Sequence, residues 1–265
     1  MLSGVYRARK NVPGTDFHHA KELWYPPASE ITKPGRLNDV GQVMFYAANM
    51  PNTTLLELRP NAGETFTVLL ARTKSRPLET LNIAFLGLER CLAPETRHFS
   101  DNDLFRRSEA FRRHIGESNY RKWLLIDDYL SSIFGELVPI GGVVAYKRTI
   151  ALADLVFSAP TVDGVCYPSV ATHDHGINLC LLPSKADEIF VPMEAWVVEI
   201  GTEALHPTTG EPLHEIRFVK RSKEIDARGL IEWMPPGMGL DPLEIARFTR
   251  RRISRLTELP RQATG

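Results

Sequence analysis

Cysteine is scarce in this 265-residue chain, and net charge is absent. Cys91, Cys166 and Cys180 stand far apart with no CxxC pair. An odd, scattered set argues against a disulfide framework or a cysteine zinc site, and reads as packed, reduced thiols of a cytoplasmic protein. Lys plus Arg and Asp plus Glu number 32 each, so no global field draws the chain toward nucleic acid or anionic lipid. No apolar run has the length of a membrane-spanning helix, and residues 1–15 hold none long enough for a signal peptide. Also missing are GxGxxG after a strand, GxxxxGK[ST] and GxSxG, which leaves the dinucleotide fingerprint, the P-loop and the hydrolase elbow without support. His173-Asp174-His175 is a weak metal-like pattern. Two histidines in a turn without a third ligand read as solvated, and no metal is expected.

What the chain has is a hydrophobic content of 43%, enough for one sizeable core. Val5–Ala8, Val43–Ala47, Thr65–Ala71, Val165–Pro168, Asn178–Leu182, Ile189–Ile200 and His214–Lys220 read as strands. Helices are expected from Pro51, cut short by Pro60, and over Trp123–Val138 and Arg148–Phe157. In the longest of these, Ile126, Tyr129, Leu130, Ile133, Phe134 and Leu137 recur at helical spacing and form the expected buried stripe. Strands and helices mix without βαβ alternation, so the fold class is α+β. Residues 1–222 form the expected main domain, with a charged, partly helical insertion at about 73–135. Residues 223–265 form an extension ending in a basic helix.

Three polar residues sit in separated apolar stretches: Arg36 in KPGRLNDVGQVMFYA, Glu57 in NTTLLELRP and Ser169 in VDGVCYPSV. Tyr6-Arg7 precede them, Tyr46 follows Arg36, and Gly176-x-Asn178 closes the series. Each has a plain structural reading as well. Thr54-x-x-Glu57 fits a capping box, Ser169 after Pro168 fits a strand end, and Tyr46 alternates with core positions. Tyr6 and Arg7 would point to opposite faces of a strand.

In GRLNDVGQVMFYAA, TTLLEL and DGVCYPSV…GINLCLLP the chain resembles the RES domain family, named for its arginine, glutamate and serine, over about residues 4–200. The resemblance implies an ADP-ribosyltransferase-like mixed β core with flanking helices. It also implies cleavage of NAD⁺ at the nicotinamide–ribose bond, with phosphate, water or a protein as acceptor. NAD⁺ is then substrate, and no cofactor is needed. Many members are toxins neutralised by a helix-turn-helix antitoxin, so such a partner is expected here. Arg36, Glu57 and Ser169 become the candidate catalytic set, and Tyr6, Arg7, Tyr46 and Asn178 the candidate binding set.

These residue types suit that chemistry. Glycosidic cleavage develops an oxocarbenium-like cation that a carboxylate stabilises. Guanidinium forks match phosphate oxygens, so of Arg7 and Arg36 one would hold pyrophosphate and the other an incoming phosphate or acceptor. Tyr6 and Tyr46 would offer flat faces to nicotinamide or adenine. Ser169 and Asn178 would hydrogen-bond ribose or the carboxamide. The insertion would form a lid, hold an oligomer together or select an acceptor. The rival reading is a non-catalytic nucleic-acid-binding regulator using the basic residues after Pro242.

Overall fold

The computed structural model describes residues 4–74, 81–92, 102–135, 143–172, 176–205 and 212–239. The basic segment after Pro242 and the His173-Asp174-His175 run lie outside them. The strands are β1 (Gly4–Lys10), β2 (Phe45–Ala48), β3 (Thr65–Thr73), β4 (Ile83–Phe85), β5 (Gly164–Pro168), β6 (Ile177–Leu181), β7 (Phe190–Leu205), β8 (Pro212–Ile225) and β9 (Ile231–Trp233). The helices are α1 (Pro51–Glu57), α2 (Leu88–Leu92), α3 (Asn102–Ile115), α4 (Glu117–Gly135), α5 (Val143–Phe157) and α6 (Pro183–Ile189). One nine-stranded sheet runs β4-β5-β6-β2-β1-β3-β7-β8-β9. Among the described strands only the β4–β5 pair is parallel, and helices flank the sheet, so the fold is α+β. No helix of the described residues is long and apolar enough to cross a membrane.

Alternation along the strands divides the core into two faces. Val5, Phe45, Ala47, Leu179 and Phe190 pack on one side. On the other, Ala8, Phe66 and Val68 pack with Leu55 of α1, and Tyr6 lies against them. Val165, Tyr167 and Cys180 meet Phe134 of α4 and Ala153 of α5 on that same side. All three cysteines are buried and free. Burial pushes the Cys166 thiol up to about 12, which keeps it protonated and unreactive. The sheet also continues past residue 222: β8 runs to Ile225, and Ile231 of β9 packs on Leu23 and Leu69.

Two expectations need correction. Helix α1 has no capping box. Met50 is its N-cap without a side-chain bond, Pro51 fills the first turn, and Glu57 is its last residue. Proline suits that first position because its ring fixes φ and it has no N–H to leave unpaired. In α4 the expected stripe is buried only in part: Phe134 is in the core and Leu130 packs against it, but Ile126 is 59% exposed and Tyr129 66%, and Leu137 lies outside the described residues. Tyr120, Asp127 and Ser131 face inward beside Phe134. Asp127 explains the difference, because its two carboxylate oxygens accept from Gly87 N (2.9 Å) and Leu88 N (2.7 Å) at the start of α2. A carboxylate capping orphan helix donors outweighs a tidier apolar stripe.

The turn between α1 and β3 is tied by Glu64, which accepts from Asn61 N (3.0 Å), Asn61 Nδ2 (3.1 Å) and the Lys10 ammonium. Lys10, then Asn61, holds the Glu64 carboxyl down to about 2. A depressed acid pKa contributes stability above its unfolded value, and that contribution is lost as pH falls through the folded one. Glu64→Gln is therefore expected to cost about 0.5–1 kcal/mol at neutral pH, the scale of a partly exposed pair. Denaturant titrations should show the gap to wild type closing between about pH 4.5 and pH 2.

Candidate active site

Register brings four residues into one row across the sheet. Tyr6 of β1 opposes Ala48 of β2, Ala48 opposes Asn178 of β6, and Asn178 opposes Tyr167 of β5. Directly opposed residues share a face, so Tyr6, Asn178 and Tyr167 all point to the side covered by α1. Leu55, 1% exposed, anchors α1 in the core of that side. Arg59, at φ 49°, turns the chain out of the helix in the left-handed conformation common after a helix end.

That geometry delivers Glu57 to the row. Its Oε1 accepts two hydrogen bonds, from Ser169 Oγ at 2.6 Å and Asn178 Nδ2 at 2.7 Å. Ser169 is fully buried and Asn178 is 5% exposed, so both donors are fixed. Among the described residues no donor reaches Glu57 Oε2. A carboxylate at the C-terminus of a helix sits where the macrodipole is unfavourable. Two donors offset this, since hydrogen bonds to a charged group contribute about 1.5–3 kcal/mol each. One oxygen is thus pinned, and the other accepts from no described residue.

Ser169 follows the last residue of β5, and its N–H donates to Gly176 O at 2.8 Å. Gly176 lies directly against α1: a Cβ there would meet Thr53 Oγ1 at 2.1 Å. Thr53 precedes Glu57 by one helical turn, on the same face of α1. Glycine at 176 therefore lets the Ser169 segment approach the glutamate helix.

Arg36 reaches the site from a loop. Its Nη1 donates to the Phe134 carbonyl near the end of α4, where helix carbonyls lack intrahelical donors. The loop is held by Tyr46, whose hydroxyl accepts from Leu37 N and donates to Asn38 Oδ1, both at 2.8 Å. Gly35 is required there by packing, because a Cβ would lie 2.3 Å from Asn38 Oδ1 and 3.2 Å from the Tyr46 hydroxyl. Burial raises the Tyr46 phenol well above its usual range, so it remains a donor throughout the ordinary pH scale. Removing that hydroxyl in Tyr46→Phe leaves the Leu37 amide without its acceptor. A loss of roughly 1–3 kcal/mol is expected by chemical denaturation.

Arg36 and Glu57 meet electrostatically at Tyr167. Burial is the main cause that pushes the Tyr167 phenol well above its usual range; Glu57 adds to the rise and Arg36 opposes it. The Tyr167 ring lies 5.6 Å from that of Phe134, whose carbonyl holds Arg36. The glutamate and the serine are joined directly, and the arginine is linked to them through Phe134, whose carbonyl it holds and whose ring packs on Tyr167.

The remaining candidates are spread more widely. Tyr6 lies at the far end of the row, 6.4 Å from the Trp196 ring. Arg7 is on the opposite face of the sheet. It donates to Trp24 O (2.8 Å) and Tyr46 O (2.6 Å) and covers the Phe45 ring at 5.8 Å. Burial, then Arg9, brings its guanidinium down to about 10. Tyr46 shares the site's face of the sheet, with its hydroxyl engaged by the Arg36 loop. Asn178 and Ser169 both direct their donors at Glu57. Among the described residues no three His, Cys, Asp or Glu side chains cluster as metal ligands.

The RES domain model matches residues 5–200, about three quarters of the chain. The chain belongs to the RES domain family. No curated protein matches it. The matched span contains every residue of the Arg36–Glu57–Ser169 set. It ends inside β7, so β8 and β9 extend the sheet beyond the RES domain. Sequence reasoning placed Tyr167 in the stretch leading to Ser169 without giving it a role, and passed over Thr53 and the Phe134 carbonyl. For Tyr167 a signal existed: it is two residues before Ser169 and shares the face of Val165 by strand alternation.

Proposed function

We propose that this RES domain protein cleaves the bond between nicotinamide and ribose in NAD⁺, with Glu57 as the catalytic carboxylate. The observation that carries the reading is the half-pinned Glu57. Ser169 and Asn178 fix one oxygen, the other has no donor among the described residues, and Arg36 acts on the same neighbouring phenol. A rigid carboxylate in a partly desolvated site is preorganised to stabilise positive charge that develops in a transition state.

As the C1–N bond breaks, its electron pair goes to the nicotinamide nitrogen, which leaves neutral. Positive charge then spreads over ribose C1 and O4. Glu57 stabilises that cation, with Oε2 placed to accept from a ribose hydroxyl. An oxygen nucleophile closes the step by bonding to C1. Phosphate gives the 1-phosphate of ADP-ribose, and water gives ADP-ribose with loss of a proton. Arg36 suits phosphate because its planar fork donates paired, charge-assisted bonds. It would orient either the substrate's pyrophosphate or the incoming anion. An ADP-ribosyltransferase-like core accords with the mixed sheet that carries these residues.

Purified protein incubated with NAD⁺ is expected to release nicotinamide, followed by chromatography, with ADP-ribose 1-phosphate accumulating when phosphate is supplied. No nicotinamide release with phosphate, water or a protein acceptor would overturn the reading. Transfer of labelled ADP-ribose to a protein would move it to the transferase alternative. The biological role that follows is a toxin that depletes NAD⁺ and is neutralised by a separately encoded helix-turn-helix antitoxin. Induction of the chain alone should lower cellular NAD⁺ and arrest growth, and co-expression with the antitoxin should restore both.

A further inference from the structure

Tyr167 is 4% exposed, and no described residue hydrogen-bonds its hydroxyl. Three other phenols of the chain are engaged. The phenol of Tyr25 donates to Asp187 (2.5 Å), that of Tyr46 to Asn38 (2.8 Å) and that of Tyr120 to Glu89 (2.7 Å). The ring is buried against Phe134, yet the hydroxyl is not among the buried side-chain atoms that lack a partner, so the phenol is a candidate donor on the face that carries Asn178. Phenylalanine would fill the same space beside Phe134, so packing alone does not call for the hydroxyl. The position of Tyr167 adds a second observation. It opposes Asn178, which holds Glu57, and the charges of both Glu57 and Arg36 act on it.

We propose that Tyr167 is a substrate-contacting residue, donating its hydroxyl hydrogen to an oxygen of the ribose–phosphate portion of the dinucleotide between Glu57 and Arg36. The inference rests on the NAD⁺ reading and deepens it. A ligand there presents hydroxyls toward the carboxylate and anionic oxygens toward the guanidinium, and a neutral donor between them serves either. Burial and Glu57 keep the phenol protonated at any working pH, so it donates and never competes as an anion. Its rigid ring, packed on Phe134, costs little conformational entropy to present.

Tyr167→Phe separates this role from a structural one. If the hydroxyl serves only the ligand, its removal should leave the melting temperature of the free protein near the wild-type value, since no hydrogen bond to a described residue is lost. ADP-ribose, used as the binding probe in calorimetry, should bind about tenfold more weakly, and kcat/KM for nicotinamide release should fall at least as much. Tyr46→Phe gives the contrasting pattern, because its hydroxyl holds the Arg36 loop: stability falls together with activity. Wild-type binding and turnover in Tyr167→Phe, whether or not stability falls, would overturn the proposal while leaving the NAD⁺ reading standing. A wild-type protein that neither binds ADP-ribose nor releases nicotinamide would overturn both.

Discussion

Glu57→Gln is expected to lower kcat for nicotinamide release by about 10²–10³-fold, the usual effect of losing one transition-state electrostatic partner. The substitution keeps the local hydrogen bonds. Ser169 Oγ and Asn178 Nδ2 both donate to the same oxygen, and a glutamine carbonyl oxygen accepts from both in the same way. What disappears is the charge and the capacity of the second oxygen to accept from the substrate. Removing a negative charge from the C-terminus of α1 also relieves an unfavourable dipole interaction of about 0.3–1 kcal/mol. Some of that gain is offset by weaker, uncharged hydrogen bonds. Melting temperature should stay near the wild-type value while turnover collapses. Single-turnover rates with saturating NAD⁺ check the first expectation and thermal unfolding the second. Parallel losses of fold and rate would make Glu57 a structural residue.

Gly176→Ala should damage the same site from behind. Its new Cβ would lie 2.1 Å from Thr53 Oγ1, 2.7 Å from Thr53 Cγ2 and 2.9 Å from Thr172 Oγ1. Thr53 is fully buried and cannot swing into solvent, so α1 and the Ser169 segment must move apart. Overpacking of this kind costs about 1–3 kcal/mol. Because Thr53 and Glu57 are one turn apart on the same helix face, the displacement also pulls Glu57 from Ser169. Activity should fall further than stability alone explains. Thr53→Ala supplies the control. Among the described residues Thr53 Oγ1 has no hydrogen-bond partner, so its deletion breaks no bond to them, and the added methyl at 176 gains room. The double variant should recover most of the lost stability and turnover. A strictly additive double variant would show that the contact with Thr53 is not the cause.

Much of the scaffold was legible because strand alternation and turn residues act locally. Val5–Ala8, Thr65–Ala71, Val165–Pro168 and Asn178–Leu182 lie within or within one residue of observed strands. The face of α4 was legible only in part: Phe134 is buried as its spacing suggested, and Ile126 and Tyr129 are not. Its apolar spacing suggested a buried Ile126 and Tyr129, yet Asp127 caps α2 from Gly87, forty residues earlier. A long-range polar contact of that kind leaves no periodic trace. Glu57 shows the same limit. Thr54-x-x-Glu57 carries the spacing of a capping box, but Pro51 starts the helix three residues earlier and places the glutamate at its end. The Glu57–Ser169 hydrogen bond spans 112 residues. Its partners followed from the family resemblance, not from local pattern. Tyr167 was masked by its own apolar strand, where a phenol and a packing ring look alike.

The most direct test of a half-pinned carboxylate is a crystal structure of the Glu57→Gln protein with intact NAD⁺ bound. The nicotinamide-bearing ribose should lie against residue 57, with a hydroxyl within hydrogen-bond reach of the side-chain atom in the Oε2 position and Ser169 and Asn178 still on the other oxygen. A dinucleotide bound elsewhere, or a ribose held away from residue 57 by other groups, would contradict the assignment of Glu57 to the chemistry.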